Sequence, residues 1–190
     1  ADYSAEVATL ASAGGDAVAV IGYIDQGGKG IIQGALDSGA FDTFILSDGM
    51  IGDALTDTFG KSLNKSFGSL PGSTGKGAGV FATVAGDAGI DPSGPYTGES
   101  YDAAALIVLA MQAAGSADRK GIADNVMAVA NAPGKKIYPG QLKKALDLLA
   151  KGKAVDYEGA TGVTFTDVGE AFGSFLEKRS EEHTSELQSQ

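Results

Sequence analysis

The chain has 190 residues, of which 43% are hydrophobic and 20% are charged, and this ordinary globular composition is enough to bury a core. A formal net charge of -10 and a pI near 4.4 argue against binding to nucleic acid or to an anionic membrane surface, because both need clustered Lys and Arg. The chain has no cysteine, which excludes thiolate catalysis, disulfides and cysteine-based zinc sites. The longest apolar run, residues 103–111, is too short to cross a bilayer, so no membrane-spanning segment is predicted.

The first part of the chain alternates between helical and strand patterns. A helix is predicted over residues 5–13, and the continuous apolar run 17–21 is typical of a buried parallel strand. Asp25 can cap a second helix that ends at Gly39, and residues 43–46 form a second buried strand. Two strands joined by one helix make a βαβ unit, and such units in series predict a doubly wound α/β sheet.

The middle of the chain is rich in glycine. Residues 60–79 predict a loop that contains a short strand near residues 67–70. A helix is predicted over residues 77–88, although its glycines lower the helical propensity. The segment 91–95, Asp-Pro-Ser-Gly-Pro, cannot continue a helix or a central strand, so we interpret it as a crossing between two lobes.

After this break the pattern is mainly helical. Helices are predicted over residues 99–114, 122–130 and 141–150, followed by a short strand at 162–166 and a final strand near 172–176. The apolar stripe Leu106, Leu109 and Ala110 is interpreted as core rather than as an interaction surface.

The end of the chain is expected to have a different origin from the rest. Residues 179–189 resemble the in-frame translation of a widely used DNA-sequencing adapter, so residues 179–190 are predicted to be a non-native tail. The only histidine, His183, lies in this tail, so the remaining sequence lacks the most common general base and metal ligand. Gly27-Gly28-Lys29-Gly30 does not have the spacing of a phosphate loop, and no cofactor, metal site or catalytic residue is predicted.

Six short segments fall in the order and spacing of one known family. They are Asp2-Tyr3-Ser4, residues 16–23, Ser47-Asp48-Gly49, residues 91–96, residues 100–104 and residues 157–162. Together they resemble the substrate-binding proteins of branched-chain (leucine/isoleucine/valine-type) amino-acid ABC transporters, which have the type I periplasmic binding fold. The resemblance covers about residues 1–178. It implies an α/β fold with parallel sheets flanked by helices, in two lobes of which this chain holds the first only in part.

The resemblance also implies a division of the chain. Residues 1–91 are expected to form the second, C-terminal lobe, and residues 92–158 to be helices that return to the first lobe. Residues 159–178 are expected to be strands that cross back toward the second lobe, and residues 91–96 to be a crossing strand. The opening strands of the first lobe are expected upstream of Ala1.

Two polar residues follow the two predicted strands, Tyr23 after residues 17–21 and Asp48 after residues 43–46. Ligands in open α/β sheets lie beyond the carboxyl ends of strands, and an ammonium group needs a carboxylate partner. From the residues alone, Asp48 can instead form an ordinary turn or cap the next segment, and Tyr23 can be a core aromatic.

By the resemblance, Tyr23 matches a ligand-contacting tyrosine and Asp48 the acidic residue that takes the ligand ammonium. The best-known leucine/isoleucine/valine binders carry Glu where Asp48 stands. Asp is shorter by one methylene group, which leaves cation recognition in place and the side-chain preference open.

The function implied is that of a periplasmic, monomeric solute-binding protein that binds an amino acid and delivers it to an ABC transporter permease. A sensory receptor domain with the same fold is the first alternative. An α/β enzyme is a weaker alternative, because neither histidine, cysteine nor a Gly-x-Ser-x-Gly motif supports a nucleophile.

Overall fold

The computed structural model describes residues 2–179, so the predicted tail lies outside the described residues except for Arg179. The α-helices are α1 (Ser4–Ala13), α2 (Lys29–Ser38), α3 (Asp53–Phe59), α4 (Lys76–Asp87), α5 (Thr97–Ala114), α6 (Arg119–Ala130) and α7 (Leu142–Leu149). The strands are β1 (Val18–Val20), β2 (Phe44–Leu46), β3 (Phe67–Pro71), β4 (Lys135–Ile137), β5 (Val155–Tyr157), β6 (Thr164–Phe165), β7 (Ala171–Phe172) and β8 (Phe175–Arg179).

The described residues divide into two compact units, one made of residues 2–70 and 176–179 and the other of Pro71–Phe175. The assignment of residues 1–91, 92–158 and 159–178 to particular lobes stays a prediction.

A four-stranded sheet organises the first unit. Its strand order is β1-β2-β3-β8, and β1 pairs with β2 in parallel, with Val18 opposite Phe44. Strand β2 also pairs with β3 in parallel, with Ile45 opposite Phe67. Helices connect these parallel strands, which confirms the α/β architecture predicted from the alternating pattern.

The core of the first unit lies on one face of this sheet. In β1 and β2 the buried residues alternate with exposed ones, and Val20 and Phe44 are buried together with Ile32 of α2. The two strands were predicted to be buried, and this prediction is wrong for the other face of the sheet, since Ile45 is 42% exposed. The prediction is also wrong for Ile21, which follows the last residue of β1 and is 87% exposed.

Two further predictions about connections are wrong. Asp25 does not cap α2, because it lies in the preceding turn Ile24–Gly28 and its carboxylate pairs with Lys29 Nζ at 3.2 Å. Residues 91–96 form turns and not a crossing strand. In this segment the Asp91 carboxylate accepts a hydrogen bond from the Ser93 amide at 2.9 Å, and such local bonds favour a turn over pairing with a sheet.

Helix α5 is the centre of the second unit. It packs with α6, α7 and β5, and Leu106, Leu109 and Ala110 are buried in that core, as predicted. Strands β4 and β5 pair in parallel, and β6 and β7 pair antiparallel. The sequence did not predict β4 or β5, because Lys135 and Lys136 give β4 little apolar character.

Residues 2–179 contain neither a membrane-spanning helix nor a cluster of metal ligands. No helix in this part of the chain is long and apolar enough to cross a membrane. The same residues contain no group of three or more His, Asp or Glu side chains placed to hold a metal ion.

Candidate functional site

The carboxyl ends of β1 and β2 bring two short loops together. Because these neighbouring strands are parallel, residues 21–23 and 47–49 emerge at the same edge of the sheet. The Ser47 amide donates a hydrogen bond to the Val20 carbonyl at 3.2 Å, which continues the strand pairing to the start of the second loop. We call these six residues the sheet rim. Tyr23 and Asp48 both lie on it, as the sequence predicts.

The Ser47 hydroxyl ties the two loops of the sheet rim together. Its Oγ accepts a hydrogen bond from the Gly22 amide at 3.2 Å and lies 3.3 Å from the Gly22 carbonyl oxygen, to which it can donate. One partly buried side chain therefore satisfies both backbone groups of Gly22 where the strand has ended. The sequence does not reveal this role, since serine after a strand is also common in turns that have no such contact.

Gly49 lies close to the Tyr23 ring. A Cβ added at Gly49 would collide with the Gly22 carbonyl oxygen and would lie 2.8 Å from Tyr23 Cδ1. The ring therefore rests directly against the residue that follows Asp48. Tyr23 is 62% exposed, so it is not a core aromatic.

Asp48 opens the short 3-10 turn Asp48–Met50 and is exposed. Its Oδ1 accepts a hydrogen bond from the Gly49 amide at 2.8 Å, so the side chain does stabilise the turn. It does not cap the next helix, because α3 begins after Gly52 without a side-chain cap. Among residues 2–179, no group donates a hydrogen bond to Asp48 Oδ2, which leaves one carboxylate oxygen available to a ligand.

The sheet rim combines polar and apolar groups. The Asp48 carboxylate can accept hydrogen bonds from an ammonium group, and the Tyr23 hydroxyl can donate or accept. The exposed Ile21 side chain adds an apolar surface on the same loop as Tyr23. These groups together suit a small molecule that carries both an amine and an apolar part.

A cavity of about 490 Å³ lies at the opposite, amino end of the same strands. It is lined by residues such as Asp16 and Asp42 and contains neither Tyr23 nor Asp48. A hydrogen bond from Lys65 lowers the pKa of Asp42 below its usual value, and a hydrogen bond from Thr43 lowers it further. We give this cavity no role in ligand binding, because it is open and its Asp42 carboxylate already has a cationic partner.

Comparison with known proteins finds a relative by sequence. No protein-family profile matches the chain. Over 71 residues the chain is 38% identical to BasB of Halobacterium salinarum, a substrate-binding protein of a chemotactic signal transduction system. The matched stretch is 37% of this chain and 17% of BasB, so the likeness covers only a part of either protein.

Solved structures resemble the chain over nearly its whole length. A leucine-binding protein, LivK, from Thermotoga maritima matches with a TM-score of 0.68 and 21% identity, over 94% of this chain and 45% of LivK. A periplasmic binding protein type 1 from Bordetella pertussis matches with a TM-score of 0.58 and 17% identity, over 91% of this chain and 50% of that protein. The chain thus spans about half the length of these structures. The proteins that it resembles are binding proteins and not enzymes, and its own fold is the type I periplasmic binding fold.

Proposed function

We propose that this chain is part of an extracytoplasmic solute-binding protein that binds an amino acid between two lobes. The observation that carries the proposal is the presence of Tyr23 and Asp48 on the same sheet rim, with no residue among 2–179 donating a hydrogen bond to Asp48 Oδ2. A zwitterionic ligand needs such a carboxylate for its ammonium group.

The apolar part of the sheet rim favours an amino acid with an aliphatic side chain. Ile21 is almost fully exposed beside Tyr23, and covering it with an aliphatic side chain would remove apolar surface from water. The likeness to a leucine-binding protein supports the same class of ligand. We therefore propose leucine, isoleucine and valine as the first ligands to test.

The intact protein would act as a periplasmic monomer that closes on its ligand by a hinge motion and presents it to the permease of an ABC importer. In this scheme residues 1–91 belong to the second lobe and carry the group that takes the ammonium. The donors for the ligand carboxylate would come from the first lobe. The protein would bind its ligand without chemical change, and no cofactor enters the scheme.

The test is Asp48→Asn in a full-length protein that contains this segment, titrated calorimetrically with leucine, isoleucine and valine. Loss of the charge partner should weaken binding by about 2–5 kcal/mol. Stability should change by less than about 0.5 kcal/mol, because Asn keeps the oxygen that accepts from the Gly49 amide. The matched control is Asp57→Asn, which removes another exposed carboxylate from the same unit and should leave affinity unchanged. Unchanged affinity in Asp48→Asn would refute the proposed role of Asp48.

A sensory role is the second candidate, and the sequence likeness to the chemotaxis protein BasB favours it. Deletion of the gene separates the two roles in cells. For a transport protein, uptake of labelled leucine should fall. For a sensor, uptake should persist while movement toward leucine is lost.

A further inference from the structure

Asp48 is followed directly by Gly49, and the two residues form the only Asp-Gly pair in the chain. The carboxyl group of an aspartate can react with the main-chain nitrogen of the next residue. Glycine favours this reaction, because it has no Cβ to obstruct the approach and its main chain is flexible. Asp48 is also exposed, so that water reaches its carboxyl group. A chemically reactive pair thus lies at the carboxylate that the sheet rim offers to a ligand.

The structure holds the two reacting groups in contact. Asp48 Oδ1 lies 2.8 Å from the Gly49 amide nitrogen. Among residues 2–179, no main-chain carbonyl accepts a hydrogen bond from the Gly49 amide, whereas the next amide, that of Met50, donates to the Ser47 carbonyl at 2.9 Å. Within this part of the chain, the Gly49 nitrogen is therefore hydrogen-bonded only to the carboxylate with which it would react.

Asp57 is an exposed aspartate of the same unit that lacks this arrangement. It lies in α3, and the amide that follows it, that of Thr58, belongs to the last turn of the same helix. Hydrogen bonding to the preceding turn of a helix holds such a nitrogen away from the neighbouring carboxyl group. Exposure alone therefore does not make an aspartate of this chain reactive.

Asp102, on α5, is protected in a further way. It is only 2% exposed, and its Oδ1 accepts hydrogen bonds from the Tyr157 hydroxyl at 2.9 Å and the Ala160 amide at 2.8 Å. Its Oδ2 accepts from the Thr161 amide at 2.8 Å and the Thr161 hydroxyl at 2.7 Å. All four donors belong to the turn 157–162, which follows β5. They hold the buried carboxylate in place and stabilise its charged form, which does not react.

We propose that Asp48 and Gly49 form a site of spontaneous modification, at which the aspartate converts to isoaspartate. The Gly49 nitrogen forms a bond to Cγ of the protonated Asp48 carboxyl group, whose hydroxyl leaves with the amide proton as water. The product is a five-membered cyclic imide, and water then adds to one of its two carbonyl groups. Addition at Cγ restores aspartate. Addition at the former main-chain carbonyl breaks its bond to the Gly49 nitrogen and leaves isoaspartate.

The modification would remove the carboxylate from its place on the sheet rim. In isoaspartate the main chain runs through Cγ, and the free carboxylate is attached directly to Cα, one carbon closer to the chain than before. The carbonyl of Asp48, which accepts from the Ile51 amide at 3.0 Å, becomes part of that carboxylate, so this hydrogen bond of the turn is altered as well. The expected loss of binding rests on the proposed function, in which Asp48 takes the ligand ammonium, whereas the reaction itself does not.

The test is to age a full-length protein that contains this segment at neutral pH and body temperature. Mass spectrometry with electron-transfer fragmentation then locates isoaspartate residue by residue. Isoaspartate should accumulate at Asp48 faster than at Asp57 or Asp102. Asp48→Glu should abolish the signal at this position, because the corresponding ring has one more atom and closes much more slowly.

Calorimetric titration of the aged protein with leucine measures the consequence for binding. The number of binding sites per molecule should fall by the fraction of isoaspartate at position 48, while the remaining sites keep the affinity of the fresh protein. Leucine present during ageing should slow the reaction at Asp48 and leave Asp57 unaffected. Asp48→Asn forms the same imide by loss of ammonia, so that variant is titrated when freshly prepared.

Two results would overturn the proposal. One is isoaspartate at residue 48 that is no more abundant than at Asp57 in the aged protein. The other is an aged protein in which isoaspartate has formed at residue 48 and the number of binding sites is unchanged. Failure of the fresh protein to bind leucine is a separate outcome, because it refutes the proposed function and leaves the mass spectra to decide whether Asp48 is modified.

Discussion

Asp48 and Asp102 are the same residue type in two opposite environments. Within residues 2–179, Asp48 is exposed and accepts one hydrogen bond from its neighbour in the chain, whereas Asp102 is buried and accepts four, all from residues more than fifty positions away. A carboxylate with all its acceptor sites filled holds the fold and has no capacity for a ligand. A carboxylate with an open oxygen contributes little to stability and can bind a ligand. The two sites therefore differ in the number of hydrogen-bond donors that the protein places around the carboxylate.

The largest expected loss of stability comes from adding a methyl group next to the buried Asp102 carboxylate. Gly159→Ala would place a methyl group against the Asp102 carboxylate at a left-handed residue, and the loss of stability should be about 2–4 kcal/mol. Gly162→Ala is the matched control, because Gly162 has φ of +70° in the same turn but open space around it. It should cost about 1 kcal/mol. Urea denaturation measures both, and equal losses would show that contact with Asp102 adds nothing to the backbone strain.

A smaller effect is expected from the hydroxyl of Tyr157. Burial of the Tyr157 hydroxyl raises its pKa above the ordinary value, and the negative charge of Asp102 raises this pKa further. A group whose pKa is higher in the folded state stabilises the protein below the unfolded-state value, so this stability should be lost as the pH rises above about 10. Tyr157→Phe should cost about 1 kcal/mol at neutral pH and reduce the alkaline loss. Unfolding measured between pH 7 and pH 11 checks both parts, and an alkaline loss of unchanged size in the variant would contradict the assignment.

The smallest effect is expected at the sheet rim. Ser47→Ala removes the hydroxyl that bonds to Gly22, and the loss of stability should be about 1 kcal/mol or less. The Gly22 amide should exchange with solvent faster in this variant. Ser12→Ala is a suitable control, because its hydroxyl bonds only to the preceding turn of the exposed helix α1. If Gly22 exchange is unchanged, Ser47 does not hold the two loops together.

The sequence allowed the sheet and the position of the rim to be predicted. The apolar runs at residues 17–21 and 43–46 contain β1 and β2, and the parallel pairing places Tyr23 and Asp48 at one edge. The sequence did not reveal that the Ile21 side chain lies outside the core. An isoleucine at the end of an apolar run can be the last residue of a strand or the first residue after it, and the pattern is the same in both cases.

The role of Asp102 was not predicted, although the sequence contained a signal. Asp102 lies on α5 at helical spacing from Leu106 and Leu109, so it shares the buried face of that helix. A carboxylate on an apolar face requires hydrogen-bond donors, but the donors come from residues 157–161 and cannot be identified from local patterns. Strands β4 and β5 were missed for a similar reason, since pairing between distant segments and not local composition forms them.

The exposure of Ile21 also has a consequence for the thermodynamics of recognition. At 87% exposure, its side chain orders water that any molecule covering it must displace. Removal of apolar surface from water lowers the heat capacity, whatever the sign of the binding enthalpy at one temperature. Ligands that differ only in the length of an aliphatic chain should therefore differ in the temperature dependence of their binding enthalpy, and that slope reports how much of Ile21 each of them covers.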